Sequence, residues 1–144
     1  MSTPQLFTPA DPRAQRLIAS LAGKDKVSIL FVCLGNICRS PAAEGVMQAI
    51  VDSHDDSARF VIDSAGTGNY HIGYLPDHRM RLHARRRGYE LTHRCRQVTE
   101  SDFDRFDLII VPNKKKNIFS RFFNPGVAHK VLFQTDIPML VIPV

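Results

Sequence analysis

The stretch Val27-Ser-Ile-Leu-Phe-Val-Cys33-Leu-Gly-Asn-Ile-Cys-Arg39-Ser40-Pro41 decides how this chain is read. Its first six residues, apolar save for Ser28 and half of them β-branched, have the signature of a short strand buried on both faces. A loop follows, and Pro41 then opens an alanine-rich run, Ala42-Ala-Glu-Gly-Val-Met-Gln-Ala-Ile, at helical spacing. In an open α/β sheet, the carboxyl end of a strand that feeds a helix is where ligands sit. Gly35 and Asn36 tolerate positive φ, so the loop can curl with its N–H groups inward as an anion nest. A helix beginning near Ser40 adds its positive dipole end. Arg39 can place two N–H donors on two oxygens of a tetrahedral oxyanion. The same field favours a Cys33 thiolate, and Ser40 can donate a hydrogen bond to that sulfur. One loop (Leu34, Gly35, Asn36, Ile37, Cys38, Arg39) thus supplies a phosphate cradle, and Cys33 a nucleophile.

Outward from this loop the chain alternates strand and helix. Asp11-Pro12 reads as an N-cap with proline at N1, opening a helix over 12–22 with Ala14, Leu17, Ile18 and Leu21 inward and Gly23 as its stop. In the helix after the loop, Ala43, Val46, Met47 and Ile50 are expected to face the core. Phe60–Asp63, Asp107–Val111 and Lys130–Phe133 read as further strands. Pro76-Asp77 starts a helix stopped by Gly88, Asp102–Phe106 is a helical turn, and Lys114–Phe123 reads as helical. Residues 1–10 read as loose and Ser64–Pro76 as a glycine-rich loop. The alternation predicts an α/β three-layer sandwich, a four-stranded parallel sheet with helices on both faces.

At 144 residues the chain is sized for one domain, and 44% hydrophobic with 23% charged residues excludes fibrous and wholly disordered classes. No apolar run approaches the ~18 residues of a membrane span, and no secretory signal opens the chain, which points to the cytoplasm. Three cysteines (Cys33, Cys38, Cys95) without answering His or Cys pairs suggest neither a disulfide framework nor a zinc site. The net charge of +5 is uneven: residues 1–72 carry six Lys/Arg against seven Asp/Glu, residues 73–144 thirteen against seven. Clusters at Arg85-Arg86-Arg87, Arg94 with Arg96, and Lys114-Lys115-Lys116 favour anionic partners. No nucleic-acid-binding motif accompanies them, so no nucleic-acid partner is expected.

The sequence resembles the low-molecular-weight protein tyrosine phosphatases between about Val27 and Val111. The matches are VCLGNICRSPAAE, DSAGT at 63–67, Tyr70-His71-Ile-Gly, Pro76-Asp77-His-Arg79 and His93-Arg-Cys-Arg-Gln97. The resemblance implies the flavodoxin-like phosphatase I fold and hydrolysis of phosphotyrosine, on a protein or a small aryl phosphate, through a cysteinyl-phosphate without cofactor or metal. It implies Cys33 as nucleophile and Arg39 as phosphate clamp. Asn36, Ser40 and His93 would hold the loop, with Ser64 behind it and Tyr70 as an aromatic wall of the cleft. Cys38 would take up an oxidised Cys33 as a reversible disulfide, whereas Cys95, where the family usually has alanine, reads as packing.

Three departures accompany the resemblance. The family's general acid is the first Asp of an Asp-Pro-aromatic motif, and here Met139 falls on that register, with Asp136 three residues earlier as the remaining candidate. Loss of the acid implies slow turnover. Lys114–Lys116 replace acidic residues. The chain also ends before the family's last helix, so residues 27–144 read as a truncated or divergent phosphatase domain whose MLVIPV would be a sticky tail if left free. Residues 1–26 read as an extension whose amphipathic helix covers the face that helix would occupy. A sheet face left uncovered would invite oligomers. The alternatives are a phosphopeptide-binding pseudophosphatase and an arsenate reductase, the latter lacking the late cysteines of its relay.

Overall fold

The computed structural model describes residues 6–7, 11–113 and 137–143. Its elements are β1 (Leu6–Phe7), α1 (Pro12–Ala22), β2 (Val27–Cys33), α2 (Arg39–Ser53), β3 (Phe60–Gly66), α3 (His78–Arg86), α4 (Asp102–Arg105), β4 (Leu108–Asn113) and β5 (Met139–Pro143). The strands form one parallel sheet in the order β1-β5-β4-β2-β3.

The central strand β2 has neighbours on both edges and helices or loops on both faces, which is why its run is apolar without alternation. Period-2 geometry divides it between two cores. Leu30 and Val32 join Ala65, Val98, Phe106, Ile109, Val111 and Met139 on one face. Ile29 and Phe31 join Ala14, Leu108, Ile110 and Leu140 on the other, where Leu17 and Leu21 of α1 and Ala43 and Met47 of α2 pack down. The expected N-cap forms, Asp11 accepting from the Arg13 amide at 2.8 Å, and Asp77, at the expected start of α3, accepts from the Met80 amide at 3.2 Å. No helix among the described residues is long and apolar enough to cross a membrane.

Several expectations need correction. The expected parallel α/β sheet is present, and the two-residue β1 adds a fifth strand at its edge. The apolar tail is not left free but forms strand β5: Met139 is 2% exposed and Leu140 6%, and Ile109–Asn113 pair with Met139–Pro143 in register. A β-branched apolar run beside an unpaired edge is absorbed into the sheet, where its backbone groups find partners. The stretch Lys130–Phe133, expected as a strand, and Lys114–Phe123, expected as a helix, lie outside the described residues. The first ten residues are not wholly loose, because Leu6 and Phe7 pair with Met139 and Leu140. Strand β3 runs three residues beyond Asp63, since Ser64-Ala65-Gly66 pair with Phe31-Val32-Cys33. Ile18 and Ile50 are each 48% exposed rather than inward. Helix α1 lies on the sheet face beside α2.

The position of Met139 makes a prediction about stability. Met139→Ala should cost about 2–5 kcal/mol, the range for emptying a buried site. Thermal denaturation should therefore show a melting temperature lower by several degrees. An unchanged melting temperature would mean that the residue is not in the core.

Candidate active site

The loop between β2 and α2 is held from outside by its carbonyls. The Cys33 carbonyl accepts from the Thr67 amide at 2.9 Å, that of Leu34 from Gly68 at 2.8 Å and that of Ile37 from Asp77 at 2.7 Å. The Asn36 carbonyl accepts from the Cys95 thiol at 2.8 Å. A loop whose carbonyls are engaged by its surroundings is free to turn its amides toward an anion.

Within the loop, Asn36 alone of the non-glycine residues takes a left-handed conformation, at φ 57°. Gly35, expected to share that freedom, is not among the positive-φ glycines, which are Gly73 and Gly88. Its lack of a side chain serves a close approach instead: a Cβ there would lie 3.2 Å from the His71 ring. Asn36 is fully buried. Its Nδ2 donates to Ser40 Oγ at 2.8 Å and to Ser64 Oγ at 3.0 Å. Its Oδ1 accepts from the Arg96 amide at 2.9 Å and lies 2.9 Å from His93 Nε2. Because Ser40 Oγ already accepts from Asn36, its own hydrogen is free to reach Cys33 Sγ, 3.0 Å away. The chain Asn36 to Ser40 to Cys33 therefore leaves the Ser40 hydroxyl able to donate to the sulfur.

Behind this layer stands a second network. His93 Nδ1 lies 3.3 Å from Glu44 Oε1 and 3.6 Å from Asp63 Oδ1. Arg96 bridges Asp63 at 2.9 Å and Asp102 at 2.9 Å, and Arg105 reaches Asp102 at 3.1 Å. Burial by itself raises the Asp102 carboxyl. The hydrogen bonds from Arg96, the Thr99 amide and Arg105 outweigh that and hold it below the usual carboxylate range. Glu44, Asp63 and His93 bring one ligand atom each within 4.8 Å of one another, a spacing that could hold a metal ion. Arg96 on Asp63 and Asn36 on His93 already give these groups a bracing task.

The structure thus brings Cys33, Asn36, Ser40, Ser64 and His93 into one hydrogen-bonded cluster. Arg39 heads α2 at the edge of the loop. Tyr70 stands on the 67–76 loop, 62% exposed, with His71 edge-on at 6.4 Å between ring centroids. All three cysteines are free. Burial first, then the neighbouring Asp77 and Cys33, push the Cys38 thiol up; burial and Cys33 do the same to Cys95. Both therefore stay protonated at neutral pH. Asp136 lies outside the described residues. Met139, which the sequence register set at the general-acid position, is a core residue of β5. Sequence reasoning missed Glu44, Asp63, Arg96 and Asp102 as the frame of the loop, and Gly66, where a Cβ would meet the Leu34 carbonyl at 2.8 Å and the Asn36 nitrogen at 3.0 Å. The DSAGT and HRCRQ matches contained Asp63, Gly66 and Arg96, but only the fold puts them against the loop.

Since its folded-state pKa is depressed, Asp102 stabilises the fold above its unfolded value of about 3.9, and that contribution is lost as pH falls through the lower folded value. Asp102→Asn should therefore cost up to about 3 kcal/mol at neutral pH, less than a fully buried pair because Arg96 is partly exposed. The loss should begin to shrink as pH falls below about 3.9, where the unfolded carboxyl takes up a proton, and should disappear only below the lower folded value. Chemical denaturation from pH 7 to pH 3 checks this; a deficit that does not change with pH would contradict it.

Residues 28–135 match the family described as low molecular weight phosphotyrosine protein phosphatase. A Synechocystis sp. protein named for the same phosphatase group, slr0328, is 52% identical over 112 residues, covering 76% of this chain and 71% of that protein. The human low molecular weight phosphotyrosine protein phosphatase is 47% identical over 83 residues, 58% of this chain and 52% of the human one. The chain thus spans only about half the length of that relative. Among solved structures, the protein tyrosine phosphatase of Entamoeba histolytica superposes with a TM-score of 0.62 at 39% identity, covering 75% of this chain and 69% of that one. With three quarters of its length under the family match and this loop at the end of β2, the chain belongs to the low molecular weight phosphotyrosine protein phosphatase family.

Proposed function

We propose that the chain is a phosphatase that hydrolyses phosphotyrosine, on a protein or as a small aryl phosphate, through a cysteinyl-phosphate on Cys33. The observation that carries the reading is the hydrogen-bonded chain from buried Asn36 through Ser40 to Cys33 Sγ, 3.0 Å from the hydroxyl. A hydroxyl within hydrogen-bond reach of the sulfur suits a nucleophilic cysteine. The loop amides from Leu34 to Arg39 and the Arg39 guanidinium hold the equatorial oxygens of the bound phosphoryl group. The sulfur attacks phosphorus in line, an S–P bond forms and the P–O bond to the aryl group breaks. Water then attacks phosphorus, the S–P bond breaks and inorganic phosphate leaves, with sulfur restored. The exposed Tyr70 flanks the mouth as a wall for the aryl ring. No metal takes part in this reading.

The leaving oxygen needs a proton when its own acidity is low. Asp136 is the candidate donor, acting from a register three residues away from the family's. Methionine, which falls at the family's acid register as Met139, has no proton to donate, and this favours a slow enzyme. Absence of a positioned acid typically costs about 10²–10⁴ in rate. The same observation favours a second reading, a phosphopeptide-binding pseudophosphatase with an intact anion loop.

Rapid-mixing kinetics with an activated aryl phosphate, set against phenyl phosphate, separates these readings. A phosphatase gives turnover that Cys33→Ser abolishes, with phenyl phosphate slower by about 10²-fold or more if the acid is poorly placed. Equal phosphate release by wild type and Cys33→Ser would refute the mechanism, and micromolar binding of a phosphotyrosyl peptide without turnover would establish the second reading.

A further inference from the structure

The phosphate loop accounts for the phosphoryl group but leaves the basic half of the molecule unexplained. Helix α3 reads His78-Arg-Met-Arg-Leu-His-Ala-Arg-Arg86 and carries no acidic residue. Asp77 precedes it and Arg87 caps it. Between α3 and α2 runs a groove of about 580 Å³. Its floor is apolar, from Val46, Met80 and Leu91, and it reaches Cys38 in the phosphate loop. The two are joined directly, since the Asp77 amide donates to the Ile37 carbonyl at 2.7 Å.

The rim of this groove is a basic row. Arg79, His83 and Arg87 all line it, and their i, i+4, i+8 spacing places them along one side of the helix. One acid, Asp77, lines the groove with the row and pairs with Arg79, whose side chain stays largely exposed. Asp77 caps the Met80 amide and is 3.9 Å from Arg79 Nε. Glu90 pairs with Arg85, outside the row, at 3.0 Å. Arg87 uses one N–H on the His83 carbonyl, which leaves further donors of its guanidinium to turn outward. Steps of four residues on a helix are about 6 Å. Alternate residues of an extended peptide are about 6.6–6.8 Å apart. The row therefore matches side chains at every second position of an extended strand.

We propose that this groove binds an acidic segment flanking the phosphotyrosine of a protein substrate, with alternate Asp or Glu side chains on Arg79, His83 and Arg87 and apolar residues between them on the floor. The inference deepens the phosphatase reading and rests on it for the anchor in the loop. It assigns the α3 arginines to substrate selection rather than to a solvated face.

The test uses Cys33→Ser protein, to prevent turnover, and two phosphotyrosyl peptides that differ only in flanking Glu or Gln at alternate positions. Fluorescence anisotropy should show the acidic peptide bound about ten-fold more tightly, as two or three partly exposed ion pairs give, with the preference fading as salt rises. Arg79→Glu with Arg87→Glu should erase the preference. In the otherwise wild-type chain the same pair should leave hydrolysis of a small aryl phosphate within about two-fold, because small substrates do not reach the row. Equal affinity for the two peptides would overturn the proposal. So would an RNA oligonucleotide bound as tightly as the acidic peptide and weakened equally by the double variant, since the groove would then be a general polyanion surface. Charge-selective binding in a chain that hydrolyses no aryl phosphate would overturn the catalytic reading alone.

Discussion

The conformation of Asn36 is the constraint on which the site depends. A carboxamide offers two donors and two acceptor positions, and all four are spent here. Ser40 and Ser64 take the donors; His93 and the Arg96 amide face the carbonyl. The partners come from α2, from the end of β3 and from the 93–96 segment, so one buried side chain ties three parts of the chain to the loop. The left-handed backbone that this requires is tolerated by asparagine better than by any other non-glycine residue. An aspartate of the same shape could not donate, and a leucine would leave buried hydroxyls without a partner.

That arrangement explains why so much charge is collected behind a loop meant for an anion. Asp63, Glu44 and Asp102 hold His93 and Arg96, which in turn face Asn36. The carboxylates are paired where they stand, so their charge is spent on rigidity. A cradle of preorganised dipoles is useful only if it does not relax around its ligand.

How much of this could be read beforehand follows from how local each feature is. The loop was legible because strand, turn residues, arginine and helix start occupy fifteen consecutive residues, and each local preference agreed with the others. Helix α1 was legible from Asp11-Pro12 and the spacing of Ala14, Leu17 and Leu21. The fate of Met139–Pro143 was not, because an apolar run looks the same as a loose tail and as a strand until a free sheet edge is found for it. The pairing of Leu6 with Met139 joins the two ends of the chain and has no local signal. Arg96 looked like part of a solvated basic cluster; only the fold places Asp63 and Asp102 against it. Gly66 likewise gains its meaning from the loop backbone that passes over it. The basic residues of α3 were visible as a cluster, but their alignment along a groove that reaches Cys38 needed α2 and α3 in place.

The central claim is that the Asn36-centred loop forms a ready-made bowl for a tetrahedral dianion above Cys33 Sγ. A crystal structure of the protein soaked in tungstate or orthovanadate tests it most directly. The account predicts an anion in the bowl, ringed by the amides of residues 34–39 and the Arg39 guanidinium, with the metal centre in line with Cys33 Sγ and the loop backbone unmoved. An empty bowl at saturating anion, or an anion bound elsewhere with the loop rearranged, would contradict it.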